Sequence, residues 1–427
     1  MASVNNKNDK VKVAVIGGGF AGFSAAVYAK KLGFDVELFT AQNTFGGRWY
    51  SFYCDNQDMW LDNATHLISG AYDNTFNLLN ILGVENYFSA EAALKVAFVL
   101  KGKISVFNTS LLPFQMGNLY AIFALKFLSL SEKLLLIKFI IKLKNYSIDK
   151  IDPRLTALDI LNIEKQNGNI YKYFWKPLII SVFNTTSNNI NANLFLNVLE
   201  KGFFGKKDNS RLFKALKPIN KIFDIIKNNM LDLGISINFR SKLTKIKAND
   251  NNINLYIKEN KLSYDKVILA IPPKSLNSLG LSNINGFSYS PIISMHIFVE
   301  HNFCIENHIA LLDCQADWLF YHGINPKNNL HHYSLLKSSA EELINLTMEQ
   351  IFRLFLIDLN NNFDVNEKEI NYYKIIKEKY ATPINPKNID NRDLRIIYAG
   401  DAYYDNLPAT IESAVISGKL AADSLLK

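Results

Sequence analysis

Residues 11–39, VKVAVIGGGFAGFSAAVYAKKLGFDVELF, contain the pattern that decides the fold. The run VKVAVI (11–16) is short, apolar and β-rich, as expected for a buried parallel strand, and GGGFAG follows it directly. Small and apolar residues then recur at helical spacing up to Gly33, and FDVELF (34–39) is the next strand. The stretch therefore predicts a β–turn–α–β unit, the opening of a Rossmann-type α/β fold.

Three glycines in the turn, Gly17, Gly19 and Gly22, have the spacing G-x-G-x-x-G of a dinucleotide site. The first permits a tight turn, the second lets a pyrophosphate approach the backbone, and the third lets helix and strand pack closely. An acidic residue usually ends the second strand and binds the ribose, but Thr40 stands there and Glu37 lies earlier in the strand. We expect Thr40 to offer the ribose a neutral and weaker partner.

A second glycine pair, in FGGRWYS (45–51), follows the second strand. Gly46 and Gly47 would let the backbone approach a flavin ring, and the side chain of Arg48 would neutralise a diphosphate. This order of segments is typical of FAD enzymes, so FAD is the predicted dinucleotide.

The C-terminal block, AGDAYYDNLPATIESAVISGKLAA (399–422), is predicted to close the FAD site. Asp401, which follows Gly400, is expected to accept a hydrogen bond from a ribityl hydroxyl. A helix starting near Thr410, with Ile411 and Glu412 in its first turn, would direct its positive end at the flavin pyrimidine, where negative charge accumulates on reduction. Residues 399–418 contain no cysteine or histidine, so we expect the FAD to be held non-covalently.

Composition excludes several classes of protein. The 427 residues are 48% hydrophobic and 20% charged, with 47 Lys+Arg against 39 Asp+Glu, which excludes a mainly disordered chain. The three cysteines are scattered, without a C-x-x-C pair, so we expect no disulfide framework and no metal site, and a reducing cytoplasm suits the chain. No arginine stripe with interleaved aromatics indicates a nucleic-acid partner. We expect neither a signal peptide nor a membrane-spanning segment.

The predicted domains are interleaved along the chain. Residues 90–230 are strand-poor and helix-rich, whereas residues 234–273 and 290–335 are rich in strands. We predict an α/β protein whose Rossmann-type FAD-binding domain is built from discontinuous segments, 11–90, 231–275 and 391–427. The inserted segments, 91–230 and 276–390, would form a substrate domain with a mixed sheet and a helical part.

Four further stretches resemble one family. DNATHLISGAY (62–72) is similar to D-N-G-Q-H-L-L-L-G-A-Y, and YKIIKEKYAT (373–382) is similar to a segment containing E-K-R-A-T. The stretch from Trp175 to Gly205 resembles a W-x-P-L…N-T…F-L-N-V-L…F-G pattern, and 399–418 resembles a G-D…P-A-T-I-E-G-A-V-x-S-G ending. The chain is thereby identified as resembling the bacterial squalene-associated FAD-dependent desaturases, or hydroxysqualene dehydroxylases, of the phytoene desaturase and flavin amine oxidase superfamily.

The resemblance implies a reaction in squalene and hopanoid biosynthesis, the reductive dehydroxylation of hydroxysqualene, with the polyprenyl substrate held in an apolar tunnel. Because a departing hydroxide needs an acid, the residues expected near the flavin face are catalytic candidates: Asp62, His66 and Tyr72. His66 is the predicted proton donor, since imidazole titrates near neutral pH. The alternative is that His66 only forms structural hydrogen bonds beside the flavin. Aromatic residues are candidates for the tunnel or, more simply, for core packing: Phe183, Phe195, Phe203, Phe204 and Trp318.

Three other functions stay open. A carotenoid or phytoene desaturase would use the same fold and an apolar tunnel but would oxidise its substrate. A polyamine or amino-acid oxidase would need a polar cage and a lysine relay, neither of which is apparent. A non-catalytic paralogue that has lost FAD is favoured by the departures from the family pattern at Thr40, Ala64 and Thr65.

Residues 111–144, LLPFQMGNLYAIFALKFLSLSEKLLLIKFIIKLK, are predicted to form a basic amphipathic helical part. Lys138 and Lys142 are one turn apart and share a face. Apolar residues fill much of the rest: Leu134, Leu135, Ile137, Ile140 and Ile141. On the residues alone, a core helix with solvated lysines is the favoured explanation of this pattern. Because the resemblance implies a bilayer-soluble substrate, we favour peripheral association with the inner face of the cell membrane.

Overall fold

The computed structural model describes residues 10–110, 114–146, 148–205, 207–281, 287–304, 306–384 and 393–427. The strands in these ranges are β1 (Lys12–Ile16), β2 (Asp35–Phe39), β3 (Ser51–Cys54), β4 (Met59–Asp62), β5 (Ile68–Ser69), β6 (Phe88–Ala90), β7 (Lys95–Leu100), β8 (Lys103–Asn108), β9 (Leu212–Ala215), β10 (Ser236–Asn238), β11 (Leu243–Ala248), β12 (Ile253–Ile257), β13 (Asn260–Tyr264), β14 (Lys266–Leu269), β15 (Ser288–Val299), β16 (His308–Leu311), β17 (Trp318–Ile324), β18 (His331–Lys337), β19 (Ile370–Ile384) and β20 (Ile396–Tyr398).

The helices are α1 (Phe20–Lys31), α2 (Asp73–Ile81), α3 (Phe114–Phe123), α4 (Leu130–Leu143), α5 (Ala157–Ile163), α6 (Gly168–Ile170), α7 (Lys176–Phe183), α8 (Ala192–Phe204), α9 (Ile219–Asp232), α10 (Pro273–Ser278), α11 (Met348–Phe363) and α12 (Ile411–Asp423). A π-helical turn, Tyr171–Trp175, joins α6 to α7.

A five-stranded parallel sheet in the order β10-β2-β1-β14-β20 forms the Rossmann-type layer. Because the strands are parallel, their C-terminal ends meet at one edge, which brings together Gly17, Thr40, Ala270 and Gly400. That edge is where an open α/β sheet binds ligands. The predicted fold class is therefore correct for this layer.

Helices α1 and α12 pack directly against each other on one face of this sheet. A Cβ on Gly418 of α12 would lie 2.3 Å from the carbonyl oxygen of Ala21 in α1, so only glycine permits this approach. The Ser24 hydroxyl donates to the carbonyl oxygen of Val415 at 2.6 Å. The last helix of the chain is thereby held against the first, beside the glycine-rich turn.

The substrate layer is a seven-stranded mixed sheet in the order β19-β15-β18-β17-β16-β7-β8. Neighbouring strands run antiparallel except β16 and β7, which are parallel. Helix α11 covers one face through buried side chains such as Phe355, and it begins at Thr347, whose capping box with Gln350 satisfies the first backbone N–H groups. The sheet thus combines the segments 95–108 and 288–384.

Two features differ from the predicted organisation. The region expected to be strand-poor contains the hairpin β7–β8, whose turn residues Lys101 and Gly102 both have positive φ, as a type I′ turn requires.

Helix α9 crosses the predicted domain boundary at residue 231 and packs with the FAD-side core through Ile222, Phe223 and Ile226. The boundary was wrong here because helical periodicity does not reveal which layer an apolar face will contact.

The region 114–143 forms two helices, α3 and α4, and residues 111–113 lie outside the described part of the chain. Helix α4 begins at Ser129, which forms a capping box with Glu132, and its buried face consists of Leu136, Phe139, Ile140 and Leu143. The prediction that Ile140 belongs to a membrane-facing apolar surface was therefore wrong, because its side chain is buried in the core. Leu134, Leu135 and Ile141 are exposed. None of the described helices is long and apolar enough to cross a bilayer.

Candidate functional site

The three motif glycines have different surroundings. A Cβ on Gly17 would lie 2.0 Å from the carbonyl oxygen of Ala270, and a Cβ on Gly22 would lie 1.9 Å from that of Gly17. A Cβ on Gly19, in contrast, would have no atom closer than 3.9 Å. Gly17 and Gly22 therefore allow backbone segments to touch, whereas Gly19 faces open space.

The N-terminus of α1 is suited to an anion. Its N-cap is Gly19, which offers no side-chain acceptor, and no acidic residue occupies the first turn. The first backbone N–H groups of the helix are thus available to a diphosphate. Gly47, at φ +65°, lies opposite, with its virtual Cβ 3.4 Å from the Cα of Gly19. These features fit the diphosphate of FAD, which Gly19 and Gly47 would border without side chains, while Gly17, Gly22 and Gly46 let the surrounding backbone pack closely.

Arg48 joins three segments that are distant in sequence. Its Nη2 lies 2.6 Å from Oδ1 of the buried Asp401, and its Nη1 donates to the carbonyl oxygen of Ala381 at 2.8 Å. Asp401, predicted to accept from a ribityl hydroxyl, is therefore an ionic partner of Arg48 in this structure. Because the Arg48 side chain is 43% exposed, its guanidinium still has donors free to face a ligand.

Thr40 lies at the end of β2, at the predicted ribose position, but it is only 5% exposed. Its Oγ1 accepts a hydrogen bond from the backbone N–H of Gln42 at 3.3 Å. Glu37 points elsewhere, since its carboxylate accepts from the hydroxyl of Tyr264 at 3.0 Å. Of the two residues considered for the ribose, Thr40 has no carboxylate and the Glu37 carboxylate is used by Tyr264.

Glu412 has a different role from the one predicted. Its Oε1 accepts from the backbone N–H and the side-chain amide of Asn74, and its Oε2 accepts from the backbone N–H and hydroxyl of Thr75, all between 2.7 and 3.0 Å. Both carboxylate oxygens of Glu412, which is 4% exposed, thus accept hydrogen bonds from four donors at the N-terminus of α2. The carboxylate of Glu412 therefore caps α2, a contact that the sequence motif did not reveal.

Local side chains cap the N-terminus of α12. Thr410 is the N-cap and forms a capping box with Ser413, while Ile411 packs against the FAD-side core. The hydroxyl of Tyr72 hydrogen-bonds to Thr410, and burial raises the pKa of Tyr72 to about 12. Tyr72, predicted to be catalytic, therefore links the 62–72 stretch to this helix end.

His66 and Asp62 meet at Trp49. The His66 ring stacks on Trp49 with a centroid distance of 4.7 Å, and the Asp62 carboxylate accepts from Trp49 Nε1 at 3.1 Å and from the Ser51 hydroxyl at 2.6 Å. His66 Nδ1 lies 2.9 Å from the carbonyl oxygen of Ala64, which can only accept, so Nδ1 carries a proton. Burial lowers the pKa of His66, which favours the neutral ring. This geometry supports the structural alternative for His66, because the other nitrogen of a neutral ring has no proton to give.

A cluster of three histidines, the His296–His322–His332 cluster, borders the 62–72 stretch and was not singled out from the sequence. His296 Nε2 donates to the carbonyl oxygen of Asp62 at 3.0 Å, and His296 Nδ1 lies 2.9 Å from His332 Nε2. His322 Nε2 shares a 2.8 Å hydrogen bond with the Ser334 hydroxyl. Burial lowers the pKa of His296 to about 4, so its ring is neutral. A cluster formed across strands has no signal in sequence spacing, because it depends on register.

The hydroxyl of Thr65 lies 2.9 Å from that of Ser334, which connects this cluster to the stretch that resembles the family. Thr65 therefore has polar partners in the substrate sheet.

The remaining family-like stretches meet around Glu378. Its Oε1 accepts from the Tyr50 hydroxyl at 2.7 Å and from Asn63 Nδ2 at 3.4 Å, while Asn63 also donates to the carbonyl oxygen of Arg48. Asn184, in the stretch 175–205, donates to the hydroxyl of Thr382 at 3.0 Å. The stretches 62–72 and 175–205 thus both contact the stretch 373–382 through hydrogen bonds. Where the family pattern has arginine, Tyr380 stands with the Lys274 ammonium 3.8 Å from its ring centroid.

The candidate tunnel aromatics are mostly core. Phe183 and Phe195 are buried among the helices α3–α8, and Trp318 packs against the same cluster while partly exposed. The side chains of Phe203 and Phe204 lie outside the described part of the chain. Core packing therefore explains Phe183 and Phe195.

Comparison with known proteins gives one family. The family profile described as flavin containing amine oxidoreductase matches residues 20–426. The chain is 25% identical to a protein named hydroxysqualene dehydroxylase from Zymomonas mobilis, over 96% of this chain and 98% of the relative. A protein of the same name from Sinorhizobium fredii is 23% identical over 97% and 98% of the two chains. A 15-cis-phytoene desaturase from Glycine max is 23% identical over 98% of this chain and 80% of the relative.

Solved structures share the fold at low identity. An engineered variant of putrescine oxidase superposes with a TM-score of 0.75 at 13% identity, over 97% of this chain and 99% of the other. An oxidoreductase from Methanosarcina mazei gives the same TM-score at 13% identity, over 96% and 100% of the two chains. At this identity the similarity establishes the architecture alone, with a Rossmann-type layer and a substrate layer in one chain.

Proposed function

The chain belongs to the family of flavin-containing amine oxidoreductases, and from that premise we propose that it reduces hydroxysqualene to squalene. The chain is an FAD-dependent oxidoreductase. The observation that carries the finer proposal is the similarity to two proteins named hydroxysqualene dehydroxylase, which extends over nearly the full length of both chains in each pair. A similarity of that extent includes the substrate layer as well as the dinucleotide layer.

The bonds broken and formed in the proposed reaction account for every atom. A carbon–oxygen bond of the allylic alcohol breaks, a carbon–hydrogen bond forms at the same end of the allylic system, and the oxygen leaves as water. When bound, reduced FAD supplies the hydride and a proton. The chain itself would position the reactants: the N-terminus of α1 and Arg48 would hold the diphosphate. The 62–72 stretch contacts the substrate sheet through the Asp62 carbonyl and the dinucleotide layer through Tyr72.

His66 is better assigned to positioning than to proton donation in this proposal. Its Nδ1 proton is held by the Ala64 carbonyl, its ring stacks on Trp49, and burial lowers its pKa. Tyr72, whose pKa burial raises to about 12, keeps its phenolic proton at neutral pH and is the better candidate for a hydrogen bond to the departing oxygen. Asp62 orients Trp49 through its carboxylate, so its proposed role is also structural.

We further propose that the protein takes its substrate from a lipid surface through helices α3 and α4. Their exposed apolar side chains, here called the α3–α4 apolar patch, are between 45% and 64% exposed: Met116, Tyr120, Phe123, Leu130, Leu134 and Ile141. In α3 these residues have the spacing i, i+4, i+7, and in α4 they have the spacing i, i+4, i+11, so each helix presents one apolar stripe to solvent. Such a patch, flanked by lysines, is suited to the interface of an anionic bilayer.

One of the lysines predicted to face headgroups has a protein partner instead. Lys142 Nζ lies 2.5 Å from a carboxylate oxygen of Glu164. The proposed lipid contact therefore depends on the apolar stripes and on Lys138 rather than on Lys142.

Anaerobic turnover tests the proposed reaction directly. The purified holoenzyme is reduced with dithionite, mixed with hydroxysqualene in detergent, and the products are identified by mass spectrometry. We expect squalene in an amount that matches the flavin oxidised. The competing function, phytoene desaturation, is tested by mixing oxidised holoenzyme with phytoene. It is favoured by the similarity to the plant phytoene desaturase, and a desaturated product without any squalene in the first reaction would replace our proposal with it.

A further inference from the structure

Three adjacent strands of the substrate sheet place imidazole rings at one point. His296 lies on β15, His332 on β18 and His322 on β17. Each ring offers a nitrogen, and these three atoms all lie within 4.8 Å of one another. From this geometry we propose that the His296–His322–His332 cluster binds one divalent transition-metal ion of the zinc type.

The hydrogen bonds determine which nitrogens carry protons. The carbonyl oxygen of Asp62 can only accept, so His296 Nε2 is protonated and the Nδ1 of the neutral ring carries a lone pair. That lone pair faces His332 Nε2 at 2.9 Å, so without a metal His332 Nε2 must supply the proton of this hydrogen bond. A divalent ion would bind both nitrogens, which already face each other, once the proton of the neutral His332 ring shifts from Nε2 to Nδ1.

The distances are close to those that zinc requires. Zinc binds histidine nitrogen at about 2.0–2.1 Å, so two such nitrogens in a tetrahedral site are about 3.4 Å apart. The pair His296 Nδ1 and His332 Nε2, at 2.9 Å, would have to separate by about 0.5 Å. The third ring, that of His322, stacks on His332 with a centroid distance of 4.5 Å, and its nitrogen lies within 4.8 Å of the other two, so it would have to turn and approach by up to about 1.4 Å to complete the set.

The surroundings resemble the supporting shell of a metal site. A metal-bound histidine usually donates its other N–H to a carbonyl, carboxylate or hydroxyl group. His296 does so to the Asp62 carbonyl, and His322 has the Ser334 hydroxyl as partner at 2.8 Å. The stack of Phe298 on His332, with centroids 4.5 Å apart and planes 2° from parallel, fixes the orientation of the His332 ring.

The site is accessible and coordinatively open. His296 and His332 are buried, but His322 is exposed, so an ion can enter from its side. Three histidines leave a fourth position of a tetrahedral ion for water or a ligand oxygen, as in catalytic rather than structural zinc sites. The cysteine spacing of the sequence indicated no metal site, whereas these histidines come from three strands whose register only the fold defines.

Metal analysis of the FAD-loaded protein tests this proposal without any substrate. The holoenzyme is treated with a chelator, dialysed against Zn²⁺, and its metal and flavin are measured per chain. Titration with Co²⁺ then reports the ligands through its visible absorption, at wavelengths longer than the flavin bands. We expect one equivalent of Zn²⁺ and a Co²⁺ spectrum of low coordination number. Holoenzyme without bound Zn²⁺ would show that the cluster is a metal-free hydrogen-bonded network and would overturn the proposal.

Two variants and one control locate the ion. His322→Ala removes the exposed ligand, and His322→Phe removes both nitrogens while keeping an aromatic ring against His332. Loss of a ligand should weaken Zn²⁺ binding at least tenfold in both variants. His301→Ala is the control, because His301 is 57% exposed and pairs with Glu369 outside the cluster. Unchanged Zn²⁺ affinity in a His322 variant that retains FAD, or equal loss in the control, would contradict the assignment.

Discussion

Glu412 of α12 binds Thr75 of α2 through two hydrogen bonds, with its Oε2 accepting from the backbone N–H at 2.8 Å and from the hydroxyl at 2.7 Å. The contact spans 337 residues of sequence and joins the C-terminal helix to the start of the helix that follows the 62–72 stretch. A buried carboxylate at a helix N-terminus is stabilised by the unpaired N–H groups and by the helix dipole. Glu412 therefore sets the relative positions of two segments that border the FAD site.

Glu412→Gln should destabilise the protein. The substitution removes the charge and turns an amide donor toward donors of Asn74 and Thr75, so we expect a loss of about 2–3 kcal/mol in the free energy of unfolding. Thermal unfolding of the holoenzyme measures the change. Glu259→Gln, at an exposed turn position, is the matched control and should unfold like the parent protein. A Glu412→Gln variant as stable as the parent would show that the cap is dispensable.

Alanine substitutions at the three motif glycines should separate folding from FAD binding. Gly19→Ala should leave the apoprotein as stable as the parent, since its Cβ would have 3.9 Å of clearance, but should weaken FAD binding at least tenfold by occupying the space above α1. Gly17→Ala and Gly22→Ala should instead lower the yield of folded protein, because each Cβ would meet a carbonyl oxygen at about 2 Å. Apoprotein melting and flavin titration distinguish the two effects, and normal FAD affinity in Gly19→Ala would place the diphosphate elsewhere.

Acidification should destabilise the protein in part through His66. Its pKa is lowered in the folded state, so its contribution is complete above the unfolded value of about 6.5 and decreases as the pH falls below it. The contribution changes by up to about 1.4 kcal/mol per pH unit in that range. His66→Phe, which keeps an aromatic ring on Trp49, should show a smaller decrease in melting temperature between pH 7.5 and 5.5. Parallel pH profiles for parent and variant would mean that His66 is not held neutral.

The α3–α4 apolar patch should control vesicle binding. Leu130→Ser with Leu134→Ser removes two exposed apolar side chains of α4 and should sharply reduce co-sedimentation with anionic vesicles, because buried apolar area drives interfacial binding. Turnover in detergent should persist, since neither residue belongs to the core. Leu420→Ser, at a 50% exposed position of α12, is the control. Equal sedimentation of the double variant and the control would exclude this patch as the lipid contact.

FAD should be released intact by denaturation. The segment 399–418 contains no cysteine or histidine that could form a covalent link to the flavin. Acid precipitation should therefore leave a colourless pellet and a yellow supernatant, and the absorbance of the supernatant measures the released flavin. Flavin that stays with the pellet would show a covalent bond.

Local patterns in the sequence were sufficient for the dinucleotide layer. The strand, glycine turn and helix of residues 11–39 predicted β1, α1 and β2, because strand and helix periodicity and the steric demands of glycine act over a few residues. Capping boxes such as Ser129 with Glu132 mark helix starts in the same local way. The hairpin β7–β8 had a local signal as well, an alternating run around Lys101–Gly102, and it could have been predicted.

Contacts between distant segments required the tertiary structure. Glu412 belongs to a family motif, yet its carboxylate accepts hydrogen bonds from residues of α2. Helix α9 packs into the FAD-side core, although part of it lies beyond the expected domain boundary. The His296–His322–His332 cluster depends on how β15, β17 and β18 are aligned, and a shift of one residue in register would turn these side chains to the other face. The sequence by itself determined the strand, glycine-rich turn and helix of residues 11–39, because those depend on local periodicity and backbone sterics. Only the tertiary structure decided which polar side chains meet, because strand register and helix packing are set by the burial of the whole chain.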